Sequence, residues 1–313
     1  MTAPSLNIRA AFASISVALL LLGMKAWAVW TTGSTAMLGS LADTALDLVA
    51  SLATLAGVWI AAQPADEDHR FGHGKAEALT AMFQVVLISI SAVGLAARAV
   101  QQWIGGGRTE AAQDGIVVSA IAIAATLALI AYQRFVIART GSLAIATDHV
   151  HYQSDMFLNL AVIAALALDQ YANIPGADPF FALAIAVWLG WGAWRASQAA
   201  IEQLMDREWP EDKRQRFVEI AARHPELKRL HDLRTRTSGN RDFVQFHVDL
   251  PGSMSVAQSH AIIDRVEHDL LGAFPNLELL IHIDPAGHID EPGNPLIEEN
   301  EFEKLDQAEE KPE

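Results

Sequence analysis

Asp43 and Asp47 stand four residues apart, and His151 and Asp155 repeat that spacing. On an α-helix such a pair shares one face, one turn apart. Both pairs fall inside otherwise apolar stretches, Met37–Ala62 and Leu143–Leu168. A charged residue at the centre of a membrane helix costs about 2.5–3.5 kcal/mol on insertion scales, so such residues tend to carry function. A single buried Asp could cap a broken helix or pair with an arginine, but neither reading accounts for two matched pairs on two helices. Facing each other, the pairs offer three carboxylates and one imidazole, a donor set suited to a four-coordinate divalent metal. The chain has no cysteine, which excludes thiolate sites and leaves nitrogen and oxygen ligands. Such ligands must be deprotonated to bind, so metal and protons compete for them, and protonation expels the ion.

These residues need helices that cross a bilayer, and the 313-residue chain supplies candidates. It is 51% hydrophobic, which predicts a membrane part joined to a water-soluble part. Six apolar stretches near the required length run at about 10–30, 37–62, 79–103, 115–137, 143–168 and 179–201. The first is long and lacks a following cleavage-site pattern, so it is expected to be retained as a span. Turn residues separate the stretches at Thr31–Ser34, Gly105–Gly107 and Asn173–Gly176, and Trp30, Trp103 and Trp194 lie near their ends, as in an interfacial belt. Arg70, Lys75, Arg134 and Arg139 fall on one side, while the loops after spans one and five carry no Lys or Arg and the loop after span three only Arg108. The positive-inside rule then places both termini in the cytoplasm.

Composition changes after about residue 207. Glu211–Arg223 and Val256–Leu271 have helical spacing; Leu230–Thr237, Asp242–Leu250 and Leu277–Ile283 read as strands, the first two joined by Ser238-Gly239-Asn240. The expected fold is an all-α six-helix transmembrane bundle over residues 1–207, then a cytoplasmic α+β domain of order αββαβ over 208–290. From Glu291 to Glu313 nine acids, two lysines and three prolines give a net charge of −7 within the chain's −15, which predicts a disordered acidic tail.

Ser40-Leu41-Ala42-Asp43-Thr44-Ala45-Leu46-Asp47 and His151-Tyr152-Gln153-Ser154-Asp155 resemble the transport-site motifs of the cation diffusion facilitator family. The loop Pro64-Ala65-Asp66-Glu67-Asp68-His69-Arg70-Phe71-Gly72-His73-Gly74-Lys75-Ala76-Glu77 strengthens the resemblance, which covers about residues 8–290 and is nearest the bacterial zinc/ferrous-iron efflux type. The resemblance implies a homodimer in the inner membrane, a metallochaperone-like cytoplasmic domain, and proton-driven efflux from cytoplasm to periplasm. It implies a transport site of Asp43, Asp47, His151 and Asp155, and a second site in the loop from Asp66, His69 and His73. Read from its residues alone, that loop has ligands enough for a metal but equally suits a hydrated interfacial loop. The resemblance further implies a cytoplasmic metal cluster from His231, His247, His260, His282 and Asp284, with Ile283 standing where some members carry a polar residue. It also suggests that Lys75 pairs with Asp206.

Not an enzyme but a proton-coupled antiporter of divalent metal ions is therefore expected, with partners limited to the lipid bilayer, a second copy, metal ions and protons; no nucleic acid is expected. No His-Glu-x-x-His is present to suggest a metalloenzyme. A membrane metal sensor or scaffold is the competing reading, and it would need no intramembrane site. Zn2+ is the expected cargo and regulatory ion, with Cd2+, Fe2+ and Mn2+ as alternatives; the imidazole tilts the donor set toward zinc and cadmium.

Overall fold

A computed structural model describes residues 2–32, 35–105, 116–172, 177–288, 293–294 and 299–309. The turns expected at residues 33–34, 106–107 and 173–176 lie outside them, as do Arg108 and residues 291–292, 295–298 and 310–313 of the expected tail. The chain divides into two compact units, Met1–Leu204 and Met205–Glu313.

The first unit holds six long helices: α1 (Ala3–Thr32), α2 (Thr35–Ala61), α3 (Ala76–Ile104), α4 (Ile116–Thr140), α5 (Leu143–Ala172) and α6 (Ala177–Leu204). Among the described residues, α1, α2, α3, α4 and α6 contain stretches long and apolar enough to cross a membrane. That count is one short of the six expected. At 30 residues α5 is long enough, but Asp148, His149, His151 and Asp155 make its first half polar. The same helix packs against all five others, so protein rather than lipid surrounds much of its polar face.

Small residues let these helices approach closely. Ala10, Ala11 and Ala144 pack with Leu6, Val58, Val136 and Ile145 where α1, α2, α4 and α5 meet, and Ala92 and Ala193 join Val85, Ile88 and Leu189 between α3 and α6. At Gly57 a Cβ atom would lie 1.9 Å from Thr80 Oγ1, so any side chain there would force α2 and α3 apart. Gly141, at φ +64°, ends α4 in the left-handed region that glycine adopts without strain, and Ser142 Oγ then accepts from the Ile145 N–H to start α5.

The second unit contains α7 (Glu211–Ala221), β1 (Leu230–Ser238), β2 (Arg241–Leu250), α8 (Val256–Ala273), β3 (Leu277–Pro285) and α9 (Glu301–Glu309). The sheet order is β1-β2-β3, with β1 and β2 antiparallel and β2 and β3 parallel. A helix-containing crossover is what a parallel neighbour requires, and α8 provides it, opened by a Ser255–Gln258 capping box. Phe217 and Ile220 of α7, Ile263, Val266 and Leu270 of α8, and Val244, Phe246 and Val248 of β2 form the core.

Residues 301–309, expected to belong to a disordered tail, instead form α9. Phe302 and Leu305 pack against the core, while buried Glu301 pairs with Arg214 and with Lys304 at 3.0 Å. Two apolar anchors and a buried ion pair supply the ordering energy that acid-rich composition alone does not suggest.

Candidate metal centre

Asp47 of α2 and His151 and Asp155 of α5 converge. His151 Nε2 lies 2.9 Å from Asp47 Oδ1 and 3.9 Å from Asp155 Oδ2, with one potential ligand atom from each residue within 4.8 Å of the others. His151 is buried and the two carboxylates are half-buried, so the three face a shielded but reachable point. Asp43, the fourth expected ligand, is not among them. Its side chain is 56% exposed and Oδ2 lies 3.6 Å from Arg98 Nη1 of α3. Four residues turn a helix by about 400°, which leaves Asp43 one turn along and about 40° around from Asp47. That offset suffices for a cation on the neighbouring helix to hold it.

Behind the trio lies a carboxylate to which the sequence reading gave no role. Asp148, one turn before His151, is fully buried. Its Oδ2 accepts from Ser14 Oγ (2.7 Å) and Gln133 Nε2 (2.8 Å), and its Oδ1 from Thr54 Oγ1 and Gln84 Nε2 (both 3.3 Å). The four donors come from α1, α4, α2 and α3, so one α5 carboxylate ties together five helices. Tyr152 extends this layer, its hydroxyl 2.9 Å from Ser51 Oγ and 3.0 Å from the Ser14 carbonyl. One signal was available: Ser14, Thr54, Gln84 and Gln133 interrupt apolar stretches, and Asp148 shares a helix face with His151. Glu77 is a second buried acid, accepting from Asn7 Nδ2 (3.2 Å) and Ser142 Oγ (2.6 Å).

The loop between α2 and α3 gathers Asp66, His69 and His73. Asp66 Oδ1 accepts the backbone N–H of His69 (2.6 Å) and of Asp68 (3.0 Å), closing a tight turn that folds both histidines back. His69 Nδ1 is 3.1 Å from Asp66 Oδ1 and His73 Nε2 is 3.2 Å from Oδ2. The His69 backbone N–H, with smaller help from the imidazoles, holds the Asp66 carboxyl below its ordinary range. Lys75 Nζ donates to the Leu204 carbonyl (3.3 Å), and Asp206 pairs with Arg236 (3.4 Å).

Across the sheet, His231 of β1 stands opposite His247 of β2, which stands opposite His282 of β3. Asp284, two residues further on β3 and buried, contacts all three. Its Oδ2 lies 2.9 Å from His247 Nδ1 and 3.5 Å from His231 Nε2, and its Oδ1 lies 3.3 Å from His282 Nε2. His231, His247 and Asp284 present convergent ligand atoms, and the ring of the more exposed His282 lies 4.5 Å from that of His247, tilted by 39°. Burial, reinforced by Arg229, pushes the His231 pKa below the usual histidine value and favours the neutral form that can bind a metal. His260 does not join them: on α8, 72% exposed, it pairs with Asp264 at 3.1 Å. Two unassigned acids flank the group: Asp249 Oδ1 is 3.8 Å from His231 Nδ1, and Asp232 Oδ2 is 3.7 Å from His247 Nε2. Asp232 occupies a bulge in β1 at φ +46°, a distortion strand alternation does not foretell.

Residues 11–205 match the family model of the cation efflux transmembrane domain, and residues 209–286 that of the cation efflux protein cytoplasmic domain. The cation-efflux pump FieF of Cronobacter sakazakii is 42% identical over 295 residues, 94% of this chain and 96% of that protein. FieF of Klebsiella pneumoniae is 40% identical over 296 residues, 95% of this chain and 97% of the relative. Among solved structures, the metal-bound C-terminal domain of the CzcD transporter from Thermotoga maritima is 24% identical. It covers 25% of this chain and 93% of its own, with a TM-score of 0.25.

Proposed function

The chain belongs to the cation diffusion facilitator family of membrane cation-efflux proteins, and from that premise we propose that it is a proton-coupled antiporter exporting Zn2+ from cytoplasm to periplasm. The observation that carries the reading is the convergence of Asp47, His151 and Asp155 between α2 and α5. Two carboxylates and an imidazole suit a divalent transition metal and, without thiolate, bind it weakly enough to let it go. The imidazole favours zinc and cadmium over manganese. Each of the three groups holds either the cargo or protons, so opening to the more acidic side exchanges one for the other.

The loop group and the sheet cluster are secondary metal sites in this reading, holding zinc on the cytoplasmic side and reporting its level. Arg70, Lys75, Arg134 and Arg139 on one side support an inner-membrane orientation with both termini in the cytoplasm, and α5 as the sixth span. A homodimer is the functional form.

The test is flux into proteoliposomes driven by a pH gradient, with zinc, cadmium, iron(II) and manganese(II) side by side. Zinc flux that collapses with the pH gradient is expected, and Asp47→Ala or Asp155→Ala should abolish it while the protein still folds. Undiminished zinc flux in both variants would overturn the site; flux indifferent to the pH gradient would overturn antiport.

A further inference from the structure

Arg98 sits in α3, six residues before its last residue Ile104 and inside a stretch otherwise apolar enough to span a membrane. Charged residues inside such stretches are rare, and those that occur tend to have a partner and a purpose. Its partner is Asp43, at 3.6 Å between Nη1 and Oδ2. Asp43 is also the one residue of the two matched pairs that stands outside the converged Asp47, His151 and Asp155. On the same turn of α2, Lys25 of α1 donates to Thr44 Oγ1 at 2.6 Å, so a second cation borders the cluster.

We propose that Arg98 is a resident counter-cation that competes with the transported metal for Asp43. When a divalent ion enters, Asp43 leaves Arg98 and becomes the fourth ligand; when the ion departs, Arg98 takes the carboxylate back. This rests on the transport reading above and deepens it. Side chains four apart on a helix lie about 5–6 Å apart at Cβ, so a rotamer change carries the Asp43 carboxylate toward Asp47 without moving α2. Both members of the pair are largely open, 71% for Arg98 and 56% for Asp43, so the exchange disturbs no packing. At 3.6 Å the contact is longer than a hydrogen bond, which makes it a pairing that can be broken.

The exchange also sets charge selectivity. A monovalent cation entering the cluster would displace a charge equal to its own and gain little. A divalent cation gains from the extra charge that Asp43 brings. The same competition weakens binding of the correct ion, which a carrier needs in order to release it.

Zinc flux in proteoliposomes tests this with the full chain and the series Arg98→Lys, Arg98→Gln and Arg98→Glu. Losing the competitor should lower the zinc KM of Arg98→Gln by about three- to fivefold, the scale of one ion pair, and lower kcat with it because release slows. Arg98→Glu, which repels Asp43 toward the cluster, should lower both further. Arg98→Lys keeps the charge at a one-point contact and should stay within about twofold of the unsubstituted protein. A merely structural role would reduce flux without tightening KM. An unchanged or raised KM in Arg98→Gln overturns the proposal. If the unsubstituted protein moves none of zinc, cadmium, iron(II) or manganese(II), the transport reading fails instead, so the two failures are distinct.

Discussion

Replacing Asp148 with alanine should unlock the membrane bundle. The carboxylate takes four hydrogen bonds from four helices, at 2.7, 2.8, 3.3 and 3.3 Å. Interhelical hydrogen bonds in membrane proteins average about 0.6 kcal/mol, so four give a floor of about 2.4 kcal/mol. Alanine also leaves the Gln84 and Gln133 amides as buried donors without this acceptor, each worth about 1–3 kcal/mol when unsatisfied. Partial rearrangement of the two glutamines moderates the sum, and a loss of about 3–5 kcal/mol is expected. Asp148→Asn keeps the volume and one carbonyl oxygen but turns an NH2 toward two donors, so it should fall about midway. Asp155→Ala is the control: its carboxylate is partly open and reaches His151 only at 3.9 Å, so its removal should cost less than about 1 kcal/mol. Reversible unfolding of the full chain in bicelles, followed by circular dichroism, reads all three. Asp148→Ala no less stable than Asp155→Ala would refute a load-sharing role for this carboxylate.

Asp284 touches three histidines, so Asp284→Ala should weaken zinc binding at the sheet cluster by at least about 100-fold, read by equilibrium dialysis of the full chain. Acidification from about pH 7.5 to 5.5 should weaken zinc binding there too, because a protonated imidazole cannot ligate. Burial delays the protonation of His231 to a pH below that of an ordinary imidazole, as histidine NMR titration can resolve. Phe302→Ala with Leu305→Ala should destabilise the second unit by about 2.5–5 kcal/mol, half the usual summed cost for two fully buried side chains, and raise hydrogen exchange in α7, against which α9 packs. Unaltered exchange in α7 would mean that α9 adds no stability.

The parts of the site legible in advance were those that one helix or one strand determines. Spacing of four put His151 and Asp155 on a common face, and alternation put His282 and Asp284 on another. What a second element contributes was not legible. Nothing around Asp43 announces that Arg98, 55 positions later, lies 3.6 Å away. The Asp148 donors sit one to a helix, and each alone reads as a tolerated polar residue in an apolar run. The three histidines align across β1, β2 and β3 because the turn at Ser238-Gly239-Asn240 sets the hairpin register and α8 sets the parallel one; only the first of these has a local signature. In α9, the acids dominate composition while two apolar residues three apart decide the outcome.

The polar groups of α5 divide by how they are satisfied, and that division suggests how a transport site can change state without the bundle losing its form. Asp148 has a donor for each of its four lone-pair positions, all from hydroxyls or amides and none from an ionisable group. No partner there can change charge as the cargo comes and goes, so the layer resists rearrangement. One turn on, His151 and Asp155 face Asp47 with a single contact shorter than 3 Å among them, and one turn back along α2 Asp43 meets Arg98 at 3.6 Å. Among the described residues, satisfaction thus falls from a saturated anchor to a half-satisfied cluster to one long ion pair. In the proposed exchange, arriving metal would act where partners are fewest, on groups whose alternatives are a proton or an arginine. The anchored layer keeps α1 through α5 in register while that exchange proceeds. On this argument, substitutions in the Asp148 layer should appear first as lost stability, whereas Arg98 substitutions should change KM and kcat with stability unaltered; both classes acting through stability alone would break it.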